Sequence, residues 1–277
     1  MNGVRAGWLM VCALAALAVA GGTDMADKAG GKAGGKTAPA GMIPVTGVRE
    51  PSGIAWHAGL SRFFVVGDDG TLAELDAEGR VQGAVVAVGG NLEDVTVHGP
   101  SGLRVLLSEA AGELIVWDPR ARRETGRARL DAAALLGRRP TEPRQGFEGL
   151  YFHSPGGVFY LVHQRGPSAV LAIEFDPTRP AASVGAESVA FRWPAPGVQD
   201  LTAITALDDG TMAVIAEASD RLLLFDPRGV RLGEAVLPGL QQEGLCVDGR
   251  GELWVADDKG GGVIRVGSAA ALVRSGR

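Results

Sequence analysis

Cysteine is nearly absent: the 277 residues hold two, Cys12 and Cys246. Cys12 falls in the leading apolar stretch, so a chain processed there keeps one thiol and can form no internal disulfide. Cys246 sits between Leu245 and Val247 in an apolar run and reads as a small buried hydrophobe rather than a reactive thiol. Lysine is also scarce, at four residues (Lys28, Lys32, Lys36, Lys259), and no arginine-rich stripe alternates with aromatics. With a formal charge of −5, this argues against a nucleic-acid partner. Gly-x-Ser-x-Gly, His-Glu-x-x-His and a phosphate-cradling glycine loop are all missing, so no familiar nucleophile, zinc-protease or nucleotide motif is present. No amphipathic helix alternates with the apolar runs, which disfavours a TIM barrel and leaves a two-sheet sandwich as the competing all-β arrangement. The four histidines, His57, His98, His153 and His163, show no metal-ligand spacing and are read as surface or turn residues. What is abundant is glycine, 42 residues, about twice the usual ~7%. Turns must be frequent.

The leading residues stand apart. Arg5 precedes an apolar stretch from Trp8 to Ala20, and Ala18-Val19-Ala20 before Gly21 fits a small-x-small cleavage site. Residues 1–20 are expected to be a signal peptide that exports the chain, with an uncleaved membrane anchor as the alternative. Residues 21–42 carry three of the four lysines and almost nothing that can pack, as a flexible linker does. The folded domain is expected over 43–277.

That domain repeats itself. A Gly, acidic or hydroxyl residue starts a short apolar run. After a glycine-containing turn, a second run ends small-then-acidic, and a third ends in Asp. The five copies are marked at their starts by Ser52, Glu93, Glu148, Thr202 and Glu243, and at the ends of their second runs by Asp68, Glu109, Gln164, Glu217 and Asp257. Start-to-start spacings are 41, 55, 54 and 41 residues, the size of a propeller blade. The expected fold is an all-β propeller with five blades of four antiparallel strands, six being the alternative if the long spacers 119–146 and 177–199 hide another blade. Asp131 is expected to cap a helical turn through Leu136 that Gly137 stops. The last copy runs out of β-forming residues after Val266, so Ile43–Val48 is expected to close the ring. The Asp residues ending the third runs, Asp76, Asp118, Asp176 and Asp226, are assigned to turns.

In an antiparallel pair the start of one strand lies beside the end of the next, so the marked positions should converge at one mouth of the ring. Glu50 and Asp200, two residues before Ser52 and Thr202, are expected to share their face, with His163 also near the mouth. Two carboxylates about 6 Å apart repel by roughly 3 kcal/mol at an effective dielectric near 20. Raised pKa values, arginine partners or a bound cation could each relieve that. Hard oxygen donors without a histidine or cysteine cluster suit Ca²⁺ rather than Zn²⁺. The candidate metal ligands are Asp68, Glu93, Glu109, Glu148, Glu217, Glu243 and Asp257. Glu50, Ser52, His163, Gln164, Asp200 and Thr202 are the polar residues expected around them.

The phrases Glu50-Pro51-Ser52-Gly53-Ile54, Asn91-Leu92-Glu93-Asp94, Gly146-Phe147-Glu148-Gly149-Leu150 and Gln242-Glu243-Gly244-Leu245, in this order, resemble the SdiA-regulated family of bacterial envelope β-propellers. The resemblance covers about residues 43–266. It implies a phytase-like propeller linked to calcium, periplasmic or associated with the cell membrane, whose cation would face Glu93, Glu148, Glu243, Glu109 and Glu217. His163-Gln164 and Thr202 depart from the family's acidic pattern. Three functions are compatible with these features, one of them a structural scaffold that needs no ion. Another is a calcium-binding interaction or signalling module, with an envelope protein, a small anionic ligand or the membrane surface as partner. The third is a metal-dependent hydrolase of phosphate esters or lactones, for which Arg144, Arg165 and Arg221 are the basic candidates.

Overall fold

The computed structural model describes residues 40–142, 146–193 and 197–275. The expected signal segment, the linker up to residue 39 and Arg144 lie outside them. Runs of valine, isoleucine, leucine and phenylalanine bounded by Gly, Pro or Asp become strands because their side chains fill both faces of a pleated sheet. Blade 1 comprises Pro51–His57, Arg62–Gly67, Thr71–Leu75 and Val86–Ala87. Blade 2 comprises Leu92–His98, Leu103–Ser108, Glu113–Asp118 and Arg123–Leu130, and blade 3 Phe147–His153, Val158–His163, Ala169–Ile173 and Val189–Arg192. Blade 4 comprises Leu201–Ala206, Met212–Ala216, Arg221–Phe225 and Arg231–Val236. Blade 5 comprises Gln242–Val247, Glu252–Asp257 and Gly262–Ser268, with Ile43–Pro44 as its outermost strand. The first strand of each blade is innermost and packs against the inner strands on either side, so five of them line a central channel.

Both faces of every blade are apolar, and each is buried against a neighbour. Five separate clusters result, one per seam. Inner strands approach so closely that the residue after each start position is small: a Cβ on Gly53 would lie 2.4 Å from Asp94 Cα, and one on Gly244 2.7 Å from the Ser52 carbonyl oxygen. Blade 2 instead places Asp94 there. Its buried carboxylate spans the seam, accepting the backbone N–H of Leu150 at 2.7 Å and of Val95 at 2.8 Å. Thr96 repeats the bridge with Phe152 N–H at 2.9 Å.

Among the described residues the long spacers hold no further blade. The second lends blade 2 a fifth strand, Ser183–Val184, parallel to Arg129–Leu130. Asp131 caps the helix Ala132–Leu136 through Ala134 N–H at 3.0 Å, and Gly137 ends it at φ 71°. The terminal Asp residues of the third strands do serve turns: Asp226 Oδ1, for one, accepts Arg228 N–H at 2.9 Å and Val230 N–H at 2.8 Å. The sequence after Val266 departs from expectation. The strand runs on to Ser268, and Ala269–Ser275 is helical, Ala269 being buried at the seam of blades 4 and 5.

Closure follows the expected route, with Ile43 opposite Val263 and Pro44 opposite Gly262. Val45 and Val48 then enter the seam between blades 5 and 1, where the rings of Trp56, Phe63 and Trp254 pack with centroids 4.6 Å apart for each neighbouring pair. Deleting residues 43–49 should therefore abolish the single cooperative melt followed by circular dichroism rather than fray one edge. Phe63→Ala should cost about 3–5 kcal/mol in denaturant unfolding. A deletion variant melting like the parent would refute the closure.

Candidate functional site

The start positions are built by a repeated irregularity. In every blade the pairing of the first two strands shifts register at the same place: between Pro51 and Gly53, Leu92 and Asp94, Phe147 and Gly149, Leu201 and Ile204, and Gln242 and Gly244. Ser52, Glu93, Glu148, Thr202 and Glu243 are thus bulge residues. A bulge leaves its residue outside the ladder and re-aims the side chain, here at one mouth of the channel.

Ligand oxygens of Asp68, Glu93 and Glu243, from blades 1, 2 and 5, all lie within 4.8 Å of one another. Glu148 and Glu109 share a hydrogen bond, and Glu148 feels the charge of Glu93, Glu109 and Glu243. Burial first, and then these neighbours, push Glu148 up to about 10, and burial followed by Asp68, Glu109 and Glu243 pushes Glu93 up to about 9. Glu243 is pushed up to about 8 by burial and then by Asp258. Burial also raises Glu109 and Asp68, against the opposing hydrogen bonds from Gly146 N–H and the Ser52 hydroxyl.

Two amides steady the bulge acids. Asn91 Nδ2 donates to Glu93 Oε1, and Gln241 Nε2 to Glu243 Oε1, each at 2.6 Å. The Asn-x-Glu and Gln-x-Glu spacing was the signal in the sequence that could have marked both amides. Ser52 is fully buried and donates to Asp68, so it orients a candidate ligand. Thr202, also buried, donates to the Gln242 carbonyl at 3.1 Å and ties blade 4 to blade 5. His163 is buried rather than at a surface turn, its Nδ1 2.6 Å from the Pro167 carbonyl oxygen. Gln164 Oε1 is buried without a donor among the described residues. Glu217 opens a short 3-10 turn and contributes to the field at Glu243.

Two further expectations need correction. Asp257 pairs with Gln242 and is one position short of the mouth. Its carboxylate accepts the N–H groups of Leu240 at 2.6 Å, Gln241 at 3.2 Å and Gly260 at 2.7 Å, so it stabilises loops. The equivalent of Asp68 is Asp258: its N–H donates to the Gln241 carbonyl as that of Asp68 does to Glu50, and burial followed by Asp68 pushes it up to about 6. Glu50 and Asp200 do not share the face of Ser52 and Thr202. They precede the strands in left-handed backbone (φ 54° and 59°), Glu50 exposed and Asp200 buried in an ion pair with Arg165. His57, His98 and His153 lie beside turns as expected, and they end the inner strands of blades 1, 2 and 3 at the same register. Burial lowers the pKa of each.

The donor set fits a hard cation. Oxygens held at 2.3–2.6 Å from Ca²⁺ are at most about 5 Å apart, a span the Asp68, Glu93 and Glu243 oxygens satisfy.

The raised carboxyl groups bind protons in the folded chain that the unfolded chain has released above about pH 4.5. Their stabilising effect is lost as pH rises through the folded values. The three histidines oppose this only below about pH 6.5. In chelator, the melting temperature should therefore fall between pH 6.5 and 8.5, and Glu148→Gln should flatten the fall. A melting temperature that rises over this interval would contradict the electrostatics.

A family model described as SdiA-regulated matches residues 41–258. No curated protein matches the chain. Among solved structures, it is similar to a streptogramin B lyase at 15% identity, with a TM-score of 0.48 over 82% of this chain and 67% of that one. It is similar to a protein of unknown function from Bacteroides caccae at 14% identity, with a TM-score of 0.44 over 69% of this chain and 63% of that one. Hydrazine synthase of Kuenenia stuttgartiensis is 11% identical, with a TM-score of 0.50 over 87% of this chain and 99% of that chain, a likeness of fold alone.

Proposed function

Since the chain belongs to the SdiA-regulated family and has the β-propeller fold, we propose that it is an exported propeller that binds one calcium ion at its acidic mouth and acts as an interaction or signalling module of the bacterial envelope. The observation that carries this reading is the convergence of Asp68, Glu93 and Glu243 oxygens within 4.8 Å, with Glu148 and Glu109 beside them. Asp68, Glu93 and Glu243 would hold the ion, and Glu148 and Glu109 would complete or charge-balance its surroundings. When bound, the ion supplies positive charge that replaces the protons otherwise retained there. The periplasm or membrane surface as its location rests on the leading segment. Among the described residues no helix is long and apolar enough to cross a membrane.

The hydrolase alternative would use the cation as Lewis acid and a mouth glutamate such as Glu148 as base. Phosphate esters would need basic residues at the mouth, and two candidates are engaged elsewhere: Arg165 with Asp200, and Arg221 with Glu234. The non-catalytic reading is therefore the one we adopt.

Calorimetric melting in EGTA and then in excess Ca²⁺ tests it. At about 100 times Kd a ligand specific for the folded form stabilises by about 2.7 kcal/mol, roughly 5–10 °C for a domain of this size. Glu93→Gln and Glu243→Gln should each remove most of that gain. No shift with Ca²⁺ in the parent would overturn calcium binding. Turnover of a phosphate ester or lactone that vanishes in Glu148→Gln would establish the hydrolase instead.

A further inference from the structure

Blades 1 and 2 leave between them two adjoining clefts, of about 320 and 580 Å³, that share Glu74, Arg104 and Pro119. Arg104 lies five residues along its strand from Glu109, roughly 16 Å away, so the clefts are separate from the acidic mouth. It is 1% exposed and, among the described residues, the largest that is fully buried. The guanidinium carbon stands 3.8 Å from the centroid of the Phe64 ring, and Nη1 donates to the Gly102 carbonyl. Nε and Nη2 have no acceptor among the described residues. The nearby carboxylate, Glu74, is turned to Arg62 instead.

A buried cation with idle donors is costly unless something accepts from them. The two idle nitrogens form one edge of the guanidinium, the two-pronged edge that matches both oxygens of a carboxylate. Arg127 uses the same edge on Glu124 in this fold, with both bonds at 2.8 Å. Phe64, Leu72, Val86 and Trp117 give the cleft beside Arg104 an apolar portion within a mainly polar lining, to which Arg62 and Arg122 add positive charge. Glu74 penalises a second negative charge on any occupant.

We propose that this seam binds a small organic monocarboxylate with an apolar body, its carboxylate on the Nε and Nη2 edge of Arg104 and its hydrocarbon against Phe64, Leu72, Val86 and Trp117. The site is independent of the calcium reading. Calorimetric titration of the full chain with phenylacetate, phenylacetamide and inorganic phosphate tests it. Phenylacetate should bind once per chain, with the neutral amide weaker by roughly tenfold or more and phosphate failing to compete. Arg104→Gln should weaken phenylacetate by a similar factor without lowering the melting temperature, because an unpaired buried charge is removed. Ala84→Trp, at an exposed lining position with Arg104 intact, should block binding, and it decides the matter if Arg104→Gln does not fold. The proposal is overturned by an absence of saturable phenylacetate binding, by equal affinity for the amide or for phosphate, or by undiminished binding in both variants.

Discussion

Each blade is a sheet with two apolar faces, and water is a poor solvent for either. Burying one face against a neighbour only passes the problem to the next sheet, until the fifth meets the first. Closure is thus the condition under which Phe63, Phe159, Leu161, Val214 and Val255 can all be buried at once. Everything else in the molecule is arranged within that requirement. Chain segments that have left their own blade are recruited to it, with Val45 and Val48 entering the seam of blades 5 and 1, and Leu135 and Val184 entering that of blades 2 and 3.

The same symmetry that satisfies the apolar faces creates an electrostatic conflict. Inner strands that begin around one axis bring whatever they carry at that end together, and here they carry acids. The bulges make the conflict sharper, because a side chain released from the ladder points at its counterparts instead of alternating away. The fold tolerates this through its packing, and the conflict appears as proton affinity: Glu93 and Glu148 hold their protons to about 9 and 10. Blade 4 avoids it by substituting Thr202, which spends its hydroxyl on the Gln242 carbonyl, and by matching Asp200 with Arg165. At the bulge position itself, acids stand in blades 2, 3 and 5 and hydroxyls in blades 1 and 4.

Most of the architecture was legible in the amino-acid sequence, because a period of blade length and runs of Val, Leu and Ile leave few alternatives. The gathering of Asp68, Glu93, Glu109, Glu148 and Glu243 followed from antiparallel pairing within each blade together with a ring whose first strands are innermost. What the sequence hid was local geometry. Nothing in Leu92-Glu93-Asp94 announces that two residues oppose one, so strict alternation misplaced Glu50 and Asp200, which lie before their strands in left-handed backbone. The adjacent acids Asp257 and Asp258 could be told apart only by register. The equivalence of His57, His98 and His153 was hidden by unequal spacers. The parallel strand Ser183–Val184 arises from a long-range docking that two residues cannot signal.

The five seams are not fastened alike. Blades 2 and 3 are cross-linked by Asp94, by Thr96 and by a strand that one lends the other. The chain's own join, by contrast, rests on a strand of two residues at the outer edge of blade 5. Among the described strands, Ile43–Pro44 is the first that tension on the leading end of the chain meets, and only two residue pairs hold it to blade 5. Mechanically, this propeller has a rip-cord, and it is stitched to the blade that carries Glu243.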